Sequence, residues 1–306
     1  MKFTICQESR IGARGTNQDR IGYCYSHDAL LMVVADGLGG HLHGEIAAEI
    51  AVRSITGSFQ RAAHPALKDP SRFLPRALLA AHHAILDHAL EEGLAEAPRT
   101  TAVACVVQDG MVHWAHAGDS RLYLVRAGRI SGQTRDHSRV RLMVEHGLLS
   151  EEEAASHPAR NRIYSCLGGS GQPQIDAFDS VQLRDGDILA LCTDGLWGPL
   201  GDNGILLGLA DGNVMLGVPR LLDRAEAAAG GDADNLSVIA LRWHARRQTV
   251  RERTVSTEEM APTEFTTRFL SPDAAAGPAT GADDERREDP AHAVPELDDD
   301  RRPTTR

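Results

Sequence analysis

The sequence predicts an antiparallel α+β domain followed by an unstructured tail. Short apolar, β-leaning runs come in consecutive groups rather than in strict alternation with helices. Two long stretches, residues 44–59 and 73–90, carry apolar side chains at helical spacing. Beyond about residue 245 the chain turns to Thr, Pro, Ala and clustered charge.

Residues 3–7, 21–25 and 30–35 read as strands that end at turn residues. The two helical stretches follow them. Strands resume at 102–108, 112–117 and 122–125, with Asp109-Gly110 as a hairpin turn between the first two. Short helices are expected at 140–145 and 151–155, strands at 175–183 and 188–192, and helices at 204–209 and 214–228. A last strand, 236–243, closes a domain expected to span 1–245. Residues 246–306 contain Asp283-Asp284-Glu285, Asp298-Asp299-Asp300 and only the aromatics Phe265 and Phe269. So little apolar surface cannot offset the entropy of ordering, and a disordered acidic tail is expected.

The 306 residues are 42% hydrophobic and 25% charged, an ordinary balance for a soluble globular protein. A net charge of -11 argues against a nucleic-acid surface or a polybasic membrane patch. The cysteines Cys6, Cys24, Cys105, Cys166 and Cys192 show no metal-ligand spacing, and most sit in apolar stretches. With no signal segment or membrane-length apolar run, a cytoplasmic protein is expected.

Carboxylates stand where strands meet turns: Asp36-Gly37 after 33–35, Asp194-Gly195 after 189–193, Asp234-Asn235 before 236–243, and Asp119 after Gly118. A strand end holds a side chain rigidly, and a neighbouring Gly permits close approach. Carboxylates gathered in one place repel unless cations neutralise them, and oxygen-only ligands suit Mg²⁺ or Mn²⁺. Any one of these pairs alone reads as an ordinary turn. No Cys-x5-Arg loop is present for cysteine-based phosphoryl chemistry.

In order along the chain come Arg14-Gly15-Thr16-Asn17-Gln18-Asp19, then Ala35-Asp36-Gly37-Leu38-Gly39-Gly40-His41 with Gly44-Glu45, and Ala117-Gly118-Asp119-Ser120-Arg121. Thr134-Arg135-Asp136-His137-Ser138, His157-Pro158-Ala159-Arg160-Asn161, Thr193-Asp194-Gly195-Leu196 and Asp234-Asn235 follow. This series resembles the successive motifs of the PP2C-type metal-dependent protein phosphatases, bacterial type. The resemblance implies a sandwich of two antiparallel β-sheets flanked by helix pairs. It also implies hydrolysis of phosphoserine and phosphothreonine by a hydroxide bridging two divalent metals, Mn²⁺ or Mg²⁺. Asp36 would bridge the metals, with the Gly37 carbonyl as a further ligand. Asp194 and Asp234 would complete one shell, Asp19 would hold water at the other metal, and Asp119 would bind a weaker third. Arg14 would grip the substrate phosphate, a task that suits a planar guanidinium fork. Phosphoproteins and an opposing Ser/Thr kinase are the implied partners, and a monomer is expected.

The sequence departs from the family pattern at Gln18, where many members have Glu, and at Leu38, where animal members carry a histidine. Among the histidines, His41 and His43 read as solvated loop residues, and His82, His83 and His88 as surface positions on a charged helix. His157 and Arg160 fall in segment 138–165, which resembles the family's mobile flap. Gly168-Gly169-Ser170-Gly171 lacks a Walker lysine and reads as a turn, and Asp232-Ala233-Asp234-Asn235 lacks the Gly and distal Glu of an EF-hand.

Overall fold

The apolar runs become strands, and antiparallel pairing assembles them into two six-stranded sheets. The computed structural model describes residues 1–38, 43–245 and 254–270, all within the unit Met1–Asp273. The strands are β1 (Lys2–Arg10), β2 (Asp19–Tyr25), β3 (Ala29–Asp36), β4 (Ala102–Gln108), β5 (Met111–Ala117) and β6 (Arg121–Arg126). They continue as β7 (Arg129–Gln133), β8 (Asp176–Gln182), β9 (Ile188–Cys192), β10 (Leu236–Trp243), β11 (Val255–Ser256) and β12 (Thr266–Phe269). The helices are α1 (Gly44–Ala62), α2 (Pro70–Glu91), α3 (Arg139–Glu145), α4 (Glu151–Ser156), α5 (Asp194–Leu209) and α6 (Val214–Ala229). One sheet has the order β11-β1-β10-β9-β6-β7, the other β12-β2-β3-β4-β5-β8.

Central strands are apolar throughout because both their faces are covered. In β3, Leu31, Val33 and Ala35 face α1 and α2, while Leu30, Met32 and Val34 face the opposite sheet. β10 divides likewise, with Ile239 and Leu241 between the sheets and Val238 and Ala240 beneath α5 and α6. The period-2 geometry of a strand therefore feeds two cores at once. α1 buries Ala47, Ala48, Ala51, Val52, Ile55 and Phe59 along one face. α2 starts at Pro70 after Asp69, whose side chain accepts the Arg72 N–H, a capped start with proline at the first helical position. The α-β-β-α layering agrees with the expected sandwich.

The structure extends past the expected boundary at 245. β11 pairs with β1 and β12 with β2, so the segment 254–270 adds an edge strand to each sheet. Phe265 packs edge-on against Phe59 at 6.4 Å, and Thr257 is fully buried, bonded to the Met1 ammonium at 2.7 Å. Composition hides these strands because they are short and edge-located, with polar residues outward. The expected disorder of 246–253 and 271–306 lies outside the described residues.

Two further elements differ from expectation. β7 is polar and follows a tight Ala127-Gly128 turn in which both residues have positive φ. α5 begins at Asp194 rather than near 204, with a non-helical break at Gly201 (φ 61°, ψ 175°). Gly195, Gly198, Pro199 and Gly201 read as breakers in sequence, yet burial of Leu196 and Leu209 keeps the segment helical.

Candidate active site

Antiparallel alternation brings several chain ends to one edge of the sandwich. The start of β2 lies beside the end of β3, with Asp19 directly opposite Asp36. β5 runs parallel to β3 two strands away, so Asp119 follows it at the same edge. In the facing sheet β9 ends just before Asp194 and β10 begins just after Asp234. Arg14, Asp36, Gly37, Asp119, Asp194 and Asp234 line one cleft of about 850 Å³. Asp19, 3% exposed, is not among the lining residues but stands beside Asp36 across the β2–β3 ladder.

Each carboxylate has its own support. The Asp36 amide donates to Thr101 Oγ1 at 3.2 Å, and its carbonyl accepts from Thr100 Oγ1 at 2.8 Å. The Thr193 hydroxyl donates to Asp19 Oδ2 at 2.9 Å, leaving Asp19 Oδ1 buried with no partner among the described residues. Asp194 opens helix α5, where the exposed N–H groups favour negative charge. The Asp119 carbonyl accepts from the Trp197 indole at 3.0 Å, and Trp197 in turn lies under the Arg121 guanidinium at 3.6 Å.

Arg14 reaches Asp234 Oδ2 at 2.7 Å and is 56% exposed at the rim. Its loop is fixed from the other side. Asn235 donates to the Ile11 and Thr16 carbonyls at 2.9 and 3.0 Å and accepts the Gln18 N–H at 2.9 Å. Gly12 (φ +62°) passes so close that a Cβ there would lie 2.1 Å from the Asp234 carbonyl oxygen. Gly37 is equally constrained, since a Cβ would meet the Gly44 carbonyl oxygen at 2.3 Å. Gln18 spends its amide on Glu45 Oε2 at 3.0 Å.

The electrostatics are those of a site built for cations. Desolvation, then the charges of Asp19, Asp194, Asp119 and Asp234, push Asp36 well above the ordinary carboxylate range. Burial, then Asp194 and Asp136, raises Asp119 likewise. Asp19 and Asp194 are raised chiefly by burial, with Asp234 adding to both. Crowded carboxylates of raised basicity, an orphaned buried oxygen and an oxygen-only donor set all fit a hard divalent cation.

Every residue singled out in the sequence as a metal or phosphate contact is therefore gathered here. The cleft wall adds residues that sequence reasoning did not name: Arg99, Arg139, Arg162 and Tyr164. Arg139 and residues 161–165 come from the flap-like segment, whereas His157 and Arg160 do not line the cleft. Thr193 and Asn235 were legible only as neighbours of Asp194 and Asp234, and their hydrogen bonds give them their importance. His82 is not a surface residue: it is 3% exposed, and its Nδ1 accepts the Gly168 N–H at 3.1 Å. His43 is exposed at the start of α1, and His41 lies outside the described residues. Among the described residues no helix is long and apolar enough to cross a membrane.

The sequence matches the family model for protein phosphatase 2C over residues 6–207. It is 32% identical to the serine/threonine protein phosphatase PstP of Mycobacterium tuberculosis over 230 residues, 74% of this chain and 42% of that protein. The chain thus spans less than half the length of this curated relative. The crystal structure of the M. tuberculosis phosphatase PstP/Ppp superposes with a TM-score of 0.69 at 31% identity, covering 80% of this chain and 100% of that one. A PstP catalytic domain in complex with 2 manganese ions gives a TM-score of 0.67 at 29% identity, covering 79% of this chain and 98% of that one.

Proposed function

This chain belongs to the protein phosphatase 2C family, and from that premise we propose that it is a metal-dependent hydrolase of phosphoserine and phosphothreonine in proteins. The observation that carries the reading is the meeting of Asp19, Asp36, Asp119, Asp194 and Asp234 at one cleft with Arg14 on its rim. Asp36, Asp194 and Asp234, with the Gly37 carbonyl, would hold two divalent cations. Asp19 would act through water, and Asp119 would serve a weaker third. The manganese in the PstP complex supports Mn²⁺, with Mg²⁺ equally suited to an all-oxygen shell. When bound, such cations supply the Lewis acidity that makes water nucleophilic near neutral pH and offsets phosphate charge.

The chain's own groups do the rest. Arg14 offers a planar pair of N–H donors that can hold two phosphate oxygens, keeping phosphorus in line for displacement. In the structure that fork pairs with Asp234 at the rim, which holds Arg14 over the cleft where the phosphate would lie. Hydrolysis adds water across the P–O bond, with oxygen to phosphorus and a proton to the departing alcohol. Thr193 keeps Asp19 oriented, and Asn235 keeps the Arg14 loop in register with Asp234.

An opposing Ser/Thr kinase, a monomeric state and a cytoplasmic setting complete the reading. A phosphothreonine peptide is the direct test. Phosphate release should require added Mn²⁺ or Mg²⁺ and cease with chelator; release undiminished by chelator would overturn the assignment.

A further inference from the structure

A second cluster of ligating side chains lies behind the cleft, and its chemistry differs from that of the carboxylates. His116 on β5 stands opposite Asp176 on β8, and His137 arrives from the loop after β7. One ligand atom from each of the three lies within 4.8 Å of the others. His116 is 4% exposed and His137 1%, while the Asp176 side chain is 47% exposed and opens the cluster to solvent.

The hydrogen bonds define which atoms are available. His116 Nε2 lies 2.7 Å from the Arg135 carbonyl oxygen. A carbonyl only accepts, so Nε2 carries the proton and the neutral ring keeps its lone pair on Nδ1. That Nδ1 is buried with no hydrogen-bond partner. His137 Nε2 is buried too and makes no hydrogen bond of acceptable direction, although it lies 3.2 Å from Asp176 Oδ2. A buried His116 Nδ1 with no partner, next to a His137 Nε2 whose contact is the exposed Asp176 carboxylate, is costly unless something occupies the space between them. Burial, then the neighbouring His137, holds His116 below its ordinary value and keeps it neutral, as ligation requires.

We propose that His116 Nδ1, His137 Nε2 and Asp176 form a binding site for a borderline transition-metal cation of the Zn²⁺ class. Two imidazoles and one carboxylate, with water on the exposed side, make a four-coordinate set suited to zinc rather than magnesium. The Arg135 carbonyl on the far nitrogen of His116 is the orienting partner such ligands use. Tetrahedral coordination wants ligand atoms about 3.4 Å apart. His137 Nε2 and Asp176 Oδ2 already stand at 3.2 Å, so His116, stacked on His137 at 4.6 Å between ring centroids, is the member that must turn towards them. One contact must yield. The Gly118 N–H points at His137 Nδ1 from 3.3 Å, and metal at Nε2 moves the ring proton to that nitrogen. Gly118 adjoins Asp119 of the cleft wall. The site stands independently of the phosphatase reading.

Equilibrium dialysis of the full chain against micromolar Zn²⁺ in millimolar Mg²⁺ tests it. Mg²⁺ occupies oxygen-only sites and competes poorly for imidazole. Wild type should retain one Zn²⁺ that His116→Gln and Asp176→Asn each weaken at least about tenfold. Co²⁺ should show the intense visible bands of a tetrahedral site in wild type and lose them in both variants. Because Asp176 is half exposed, Asp176→Asn should melt as wild type does without zinc and lose only the zinc-dependent rise in Tm. Equal zinc retention in wild type and Asp176→Asn, or none in wild type, would overturn the site.

Discussion

Asp19 and Asp36 face one another directly across the β2–β3 ladder, and the Thr193 hydroxyl reaches from the opposite sheet to hold Asp19. This contact crosses the sandwich, so the geometry of the carboxylate pair depends on how the two sheets pack. Thr193 also accepts the Ser237 N–H at 3.1 Å. Thr193→Val keeps the shape and removes both bonds. Leaving two buried polar groups unpaired should cost about 1–3 kcal/mol each, measured by urea unfolding, and should weaken Mn²⁺ binding in calorimetry.

Asn235 fixes the Arg14 loop through two donated bonds that a carboxylate cannot make. Asn235→Asp should therefore loosen the loop with little change of volume. Steady-state kinetics on a phosphothreonine peptide should show KM rising about tenfold, with a smaller fall in kcat, because the lost function is positioning of the phosphate.

The raised carboxylates make metal-free stability depend on pH in a definite direction. For an acid whose folded pKa lies above its unfolded value, the native state holds its proton longer. Its contribution is fully present below the ordinary carboxylate range and is lost as pH rises through the folded value. Burial pushes Asp19 up to about 7, and Asp36 and Asp119 are raised well above the ordinary range. Chelated protein should therefore melt at a lower temperature at pH 8 than at pH 5. Added Mn²⁺ should restore more stability at pH 8 than at pH 5, since binding requires ionised ligands. Differential scanning fluorimetry across that range checks both.

The segment 254–270 belongs to the fold in a way its composition conceals. Removing it uncovers the edges of β1 and β2 and takes away Phe265, which packs against Phe59 and the core beneath α1 and α2. Truncation after Ala245 should cost at least about 2 kcal/mol, the worth of one large apolar side chain. Truncation after Leu270 should leave the melting temperature unchanged. Thermal melts of the two truncated chains distinguish the outcomes.

The central strands were legible because burial on both faces leaves continuous apolar runs, as in β3, β4 and β9. Three of the four edge strands were not: β7, β11 and β12 are polar on one side and draw their order from a neighbour, whereas the edge strand β8 was legible at 175–183. The aspartates were legible as strand-end residues in a recurring order. What sequence could not convey is contact across the sandwich, such as Thr193 to Asp19 and Asn235 to the Arg14 loop. The inward position of His82 was legible but missed: helical spacing over 73–90 puts His82 on the apolar face with Leu78 and Ile85.

The carboxylates of this cleft are expected to hold the cations that hydrolysis needs. Turnover of a phosphothreonine substrate measured across a Mn²⁺ titration, wild type against Asp194→Asn, addresses it most directly. The expected result is a saturable Mn²⁺ requirement in wild type and a loss of about 100-fold or more in the variant, with its residual activity needing higher Mn²⁺. Equal turnover at the same Mn²⁺ requirement in both proteins would contradict it.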